Sequence, residues 1–215
     1  MLNQHFVLLG AVFNITGSSS YVIATLKGKT KPNRVSWFLW ATAPIIAFSA
    51  EIKSGVGLTS LMTFMVGFGP LLVFLASFVN RKSVWKLTKL DIACGILSVL
   101  AIILWKVTGT GNIAIALSIA ADLLAGVPTI IKSYIVPESE SYWAFLCGAI
   151  SAAITLLTIK VWTFANAGFP VYILLICLLL FVLIRFTKLR PKAITIWYIV
   201  IAEKKLREFY LMVIY

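Results

Sequence analysis

Asp122 is the acidic residue that falls deepest inside an apolar run, and a carboxylate at such a depth costs about 2.5 to 3.5 kcal/mol on insertion scales unless something faces or hydrates it. Two roles suit it. Lining a cavity, it would bind a proton or a cation; turned toward a neighbouring helix, it would take hydrogen bonds from Asn14 or Ser118 and serve only packing. The spacing of the polar residues around it gives both roles a shared face. Ser118, Asp122, Gly126, Thr129 and Ser133 step by 4, 4, 3 and 4 residues, as do Gly10, Asn14, Ser18, Tyr21 and Thr25. At about 100° per residue each set falls on one helical stripe, and a single offset of 108 superposes the two. Small and polar residues gathered on a stripe mark a face turned from lipid toward other helices or a cavity. Asn166 precedes Pro170 by four residues, where a side-chain amide can close the hydrogen-bond gap that proline opens in a helix.

Other chemistries lack their parts. His5 is the sole histidine and sits at the terminus, so a multi-histidine metal site is excluded. Ser18, Ser19 and Ser20 have no histidine or buried lysine to activate them. Lys188 lies past the last long apolar run, which removes a retinal-type Schiff base, and Gly109-Thr110-Gly111 reads as a flexible outer loop rather than a phosphate cradle. Cys94, Cys147 and Cys177 all fall inside apolar runs, with no disulfide framework and no CxxC pair. The expectation is a chain that is not an enzyme and uses no metal and no cofactor.

The elements that must position Asp122 are membrane helices. With 61% hydrophobic and 12% charged residues and a mean hydropathy of +1.01, the 215-residue chain is too apolar for a soluble domain. Apolar stretches long enough to cross a ~30 Å core run over 6–26, 35–50, 59–79, 90–105, 112–131, 142–159 and 163–184. The first of them lacks a preceding Lys or Arg and reads as a retained span rather than a cleaved signal. Seven spans sort sixteen of the nineteen Lys and Arg residues onto one side, so the amino end is expected outside and the carboxyl end in the cytoplasm. That bias accounts for the net charge of +12 without nucleic acid. Residues 187–215 read as a cytoplasmic tail, whose short apolar piece at 193–202 could lie in the interface on Trp197, Tyr198 and Tyr210.

The chain also repeats itself. Thr63, Phe64 and Pro70 recur as Thr163, Phe164 and Pro170, and Trp37 with Ile52-Lys53 recurs as Trp143 with Ile159-Lys160. The organisation expected is an all-α integral membrane protein of 3+1+3 spans: a three-helix repeat at 6–79, a linker with the fourth span at 80–110, and a second repeat at 111–186. Pro44, Pro70, Pro128 and Pro170 interrupt spans and are candidate hinges or fixed kinks. Trp37 and Trp143 open the second span of each repeat, where they would anchor the interface or stack on a solute.

Val127-Pro128-Thr129-Ile130-Ile131-Lys132-Ser133-Tyr134, followed by Pro137-Glu138-Ser139-Glu140-Ser141, resembles the PQ-loop motif of the family that holds the PQ-loop proteins and the SWEET and SemiSWEET sugar transporters. In first-repeat position, Ser20-Tyr21 and the basic run from Lys27 to Arg34 look like the same loop in degraded form, with the proline missing from the first helix, and neither copy has the Pro-Gln pair. Asn166 resembles the asparagine that lines the substrate pocket in those transporters. The resemblance implies a small-solute transporter or facilitator working by alternating access, with proton coupling through Asp122 open to it. Asp122, Asn14, Ser18, Thr129 and Asn166 would line the path, and Tyr21, Tyr134, Trp37 and Trp143 would crowd the cytoplasmic exit. The competing class is a non-transporting sensor, adaptor or lipid-interacting protein. Expected partners are membrane lipids and a small polar solute, with self-association left open.

Overall fold

The computed structural model describes residues 2–187 except 81, 84, 109 and 110; Gly109-Thr110 of the expected outer loop and the tail beyond 187 lie outside the described residues, while Gly111 opens a helix. The regular structure is helical throughout: α1 (Phe6–Leu26), α2 (Arg34–Lys53), α3 (Ser60–Ala76), α4 (Lys89–Thr108), α5 (Gly111–Ile135), α6 (Tyr142–Thr158) and α7 (Phe164–Thr187), with a 3-10 turn at Pro137–Ser139. Among the described residues there is no strand.

Local chemistry sets the ends. Helix α1 stops where Gly28 takes a φ of +72°, which lets the N–H groups of Gly28 and Lys29 bond back to Thr25 and Ala24 carbonyls at 2.9 Å. Asn33, in extended backbone, opens α2 by accepting from the N–H groups of Val35 and Ser36 at 3.1 and 3.4 Å. Thr88 and Asp91 form a reciprocal capping box at the start of α4. Helices α2, α4, α5 and α7 outrun their expected limits by about a turn, two of them past buried charges. Helix α2 continues to Lys53 and takes Glu51 inside, and α5 continues to Ile135 and takes in Lys132.

The stretches Phe6–Leu26, Arg34–Lys53, Ile115–Ile135 and Phe164–Phe186 are each long and apolar enough to cross a membrane, and Ser60–Ala76 and Tyr142–Thr158 are shorter apolar helices. Their surfaces are inverted relative to a soluble protein. Leu8, Val12, Leu75, Ile96 and Leu175 are half or more exposed, while Asn14, Ser118, Asp122, Thr129, Ser133 and Thr155 are buried. The chain is a multi-pass membrane protein.

Helix α3 packs between α1 and α2, and α7 packs between α5 and α6. Across the molecule α1 lies on α6 and α2 on α5, while α4 runs along α5 and touches α2 lightly. Exchanging α1, α2 and α3 for α5, α6 and α7 maps these principal contacts onto one another. Close approach needs small residues at the seams: a Cβ on Gly17 would come within 2.7 Å of the Cys147 Cβ on α6.

Candidate functional site

The two polar stripes meet at a central cavity of about 80 Å³ to which six helices contribute and α4 does not. Helix α1 supplies Asn14 and Ser18, α2 supplies Trp37 and Trp40, α3 supplies Val66 and Pro70, and α5 supplies Asp122. The remaining wall comes from α6 and α7 and includes Phe145, Gly148, Ile173 and Cys177. Asp122 is fixed on two sides. Its Oδ2 accepts from the Tyr172 hydroxyl at 2.6 Å, and its backbone carbonyl accepts from the Trp40 indole N–H at 3.0 Å. Its Oδ1 and the Oδ1 of Asn14 are buried with no hydrogen-bond partner. Two bare acceptors on one small cavity can take a proton, a cation or the donor groups of a polar solute. Gly69 makes this geometry accessible to α3, because a Cβ there would collide with the Ser18 hydroxyl and come within 3.3 Å of Asn14 Oδ1.

A second polar cluster closes the end of the bundle where the basic loops gather. Tyr21 of α1, fully buried, donates its hydroxyl to Glu140 Oε2 at 2.5 Å, and Lys132 of α5 pairs with Glu140 Oε1 at 2.7 Å. Lys132 also donates to the backbone carbonyl of Lys31 and lies 4.8 Å over the Trp85 ring. Five segments are thus gathered around one buried ion pair whose lone pairs and protons are largely satisfied. The cluster is one ring away from the cavity, since Tyr21 packs on Trp37 with centroids 4.5 Å apart.

The structure brings together Asn14, Ser18, Asp122, Trp37 and Pro70 at the cavity and puts Tyr21 in the closing cluster. It separates others. Asn166 is a correction: it is half-buried near the start of α7, where its amide donates to the Val161 carbonyl at 2.8 Å, so it neither lines the cavity nor serves Pro170. Trp143 is 53% exposed and packs on Tyr142 outside the cavity wall, the placement of an interface anchor rather than of a ring stacked on a solute in the cavity. Thr129 is buried with an unpartnered hydroxyl, yet it lies outside the cavity wall, as does the half-buried Tyr134. Pro44, Pro128 and Pro170 sit inside α2, α5 and α7 without reaching the cavity.

The cavity also corrects the register of the repeat. Val66 and Pro70 face it from α3, and Ile173 and Cys177 face it from α7, both pairs 107 residues apart. The spacing comes within one residue of the 108 offset of the α1 and α5 stripes. The proline match at an offset of 100 does not, because Pro170 lies off the cavity. By the same logic Trp37 answers to Phe145, which also lines the cavity and packs edge-on against Trp40.

Sequence reasoning missed five functional candidates. Tyr172 is the one tyrosine in the middle of α7, and an isolated hydroxyl in an apolar span was the available signal. Trp40 lies one turn beyond Trp37 on the same face. Lys132 and Glu140 carry opposite charge on either side of one turn, which is the signal for their pair. Glu51, buried, accepts from Thr63 at 3.0 Å between α2 and α3 and keeps a bare Oε2. Comparison of the chain with family models, with curated proteins and with solved structures returns no match.

Proposed function

We propose that this protein moves a small polar solute across the membrane through the central cavity, by alternating access between two three-helix repeats, α1–α3 and α5–α7, that α4 joins. In this reading all seven helices cross the bilayer, with the amino end outside and the basic loops in the cytoplasm, as the Lys and Arg bias favours. One observation carries it: the cavity lies on the seam between the two sets of helices and holds two buried acceptors, on Asn14 and Asp122, without partners. Other buried polar atoms, on Thr129 and Glu51 among them, also lack partners, but on Asn14 and Asp122 the bare atoms face a shared cavity where a solute could meet them. At about 80 Å³ the cavity holds roughly a few waters, well under the ~300–1,000 Å³ that encloses a drug-sized ligand. The conformation is therefore contracted, and a larger solute enters when the seam parts. The Tyr21–Glu140–Lys132 cluster acts as the inner gate, because parting the repeats there returns its ions to water. The likeness of residues 127–141 to a PQ-loop supports the same reading.

Cys177 tests it without a known substrate, since it lines the cavity. In a chain carrying Cys94→Ala and Cys147→Ala, reconstituted in one orientation, a membrane-impermeant maleimide should reach Cys177 from both faces. Glu140→Gln should speed labelling from the basic face several-fold. Labelling from neither face overturns transport and leaves a sensor or adaptor. Uptake into proteoliposomes across a panel of sugars, amino acids and small cations then identifies the solute.

A further inference from the structure

Between α3 and α4, floored by α2, an apolar groove of about 520 Å³ opens on the outer surface. Phe38, Phe74, Ile92, Ile96 and Leu100 line it, and the one charged residue in its wall is Arg34, at the basic end. The groove exists because α4 leans on α5 and meets α2 over a short contact, closest where Gly95 packs on Val35. Arg34 is half-buried there. Its Nε and Nη2 donate to the Ser77 hydroxyl and carbonyl at 3.1 and 2.7 Å, and its guanidinium lies 4.2 Å over the Phe78 ring. Among the described residues no carboxylate pairs with it. A guanidinium has five N–H donors, so several remain in a fork suited to a phosphate. From Ile92 to Leu100 the groove wall rises about 12 Å, close to one leaflet's share of a ~30 Å core.

We infer that this groove is a binding site for one anionic phospholipid of the leaflet on the basic side, its phosphate on Arg34 and an acyl chain along Phe38, Phe74 and α4. A cation fixed at headgroup level above an apolar trough complements that lipid in charge and in depth. A zwitterionic lipid would fill the trough and bring its own cation to Arg34, and a second copy of the chain would have to present an acid to it.

Native mass spectrometry tests the site on protein released from nanodiscs of phosphatidylglycerol and phosphatidylcholine in equal parts. The full chain should retain one phosphatidylglycerol in preference to phosphatidylcholine by about tenfold, the share of affinity one charge-assisted contact carries. Arg34→Gln should bring the two lipids to parity. Ile96→Trp fills the trough, leaves Arg34 and its Ser77 contacts in place, and should lose the retained lipid of either kind. Lys27→Gln removes the same charge from an exposed loop residue and should leave the preference intact. If Arg34→Gln unfolds in a thermal melt, the contrast between Ile96→Trp and Lys27→Gln still decides. Parity in the unmodified protein, loss of preference in Lys27→Gln, or a two-chain mass that Ile96→Trp abolishes would each overturn the assignment.

Discussion

Tyr172 satisfies one oxygen of Asp122 and leaves the other bare, so the carboxylate is held in place while keeping a free acceptor on the cavity. Replacing Tyr172 by Phe strips the second oxygen as well. The expected cost is about 1–3 kcal/mol, read as a lower midpoint of denaturant unfolding in detergent micelles. Asp122→Asn in the same chain should then cost less than it does alone, with a coupling of at least ~0.5 kcal/mol; strict additivity would mean that the hydroxyl and carboxylate do not act together. How much of this was legible follows from what each residue requires. Asp122 announces itself because its chemistry conflicts with its surroundings. Its partner Tyr172 does not, because a tyrosine in an apolar span conflicts with little, and the pair is made by packing across 50 residues of chain.

At the scale of helices, the α1–α6 seam rests on small residues. Gly17→Leu would drive a branched side chain into Cys147 and the Ala144 backbone, and is expected to cost about 1–3 kcal/mol as overpacking. A Cys147→Gly partner substitution should recover part of that loss in a thermal melt, whereas the same partner should not rescue a Leu placed at exposed Val12. The helices themselves were readable from hydropathy, and the stripes on α1 and α5 emerged as buried faces apart from half-buried Ser18. Their limits were less so. Apolar runs end at the first charge, but helices α2 and α5 carry on through Glu51 and Lys132, whose charges are met by Thr63 and Glu140. The repeat failed in register for a different reason. A shared Thr, Phe and Pro is weak information in sequence drawn from few residue types, whereas the small and polar stripe is tied to contact and kept its offset.

For the whole molecule, the exchange-related seams α1–α6 and α2–α5 are alike in packing but not in what surrounds them. Ser151 of α6 lies within 3.3 Å of where a Gly10 Cβ would stand, so Gly10→Cys with Ser151→Cys is within disulfide reach. In the Cys177 chain this cross-link should abolish maleimide access from one face while reduction restores it; unchanged two-sided access would place the moving seam elsewhere. Helix α4 supplies the reason to expect the motion at α1–α6. It lies along α5, yet the Asp91 carboxylate at its start accepts from the Asn33 amide of the α2 cap at 2.6 Å, and Gly95 sits against Val35 one turn later. The linker thus braces the α2–α5 seam like the spine of a book, while the α1–α6 seam, closely packed through its small residues, lies away from α4. Under the proposed transport, that bracing makes α2–α5 the edge that holds and α1–α6 the edge that parts. A swing of one half about that spine is the motion the proposed transport would use.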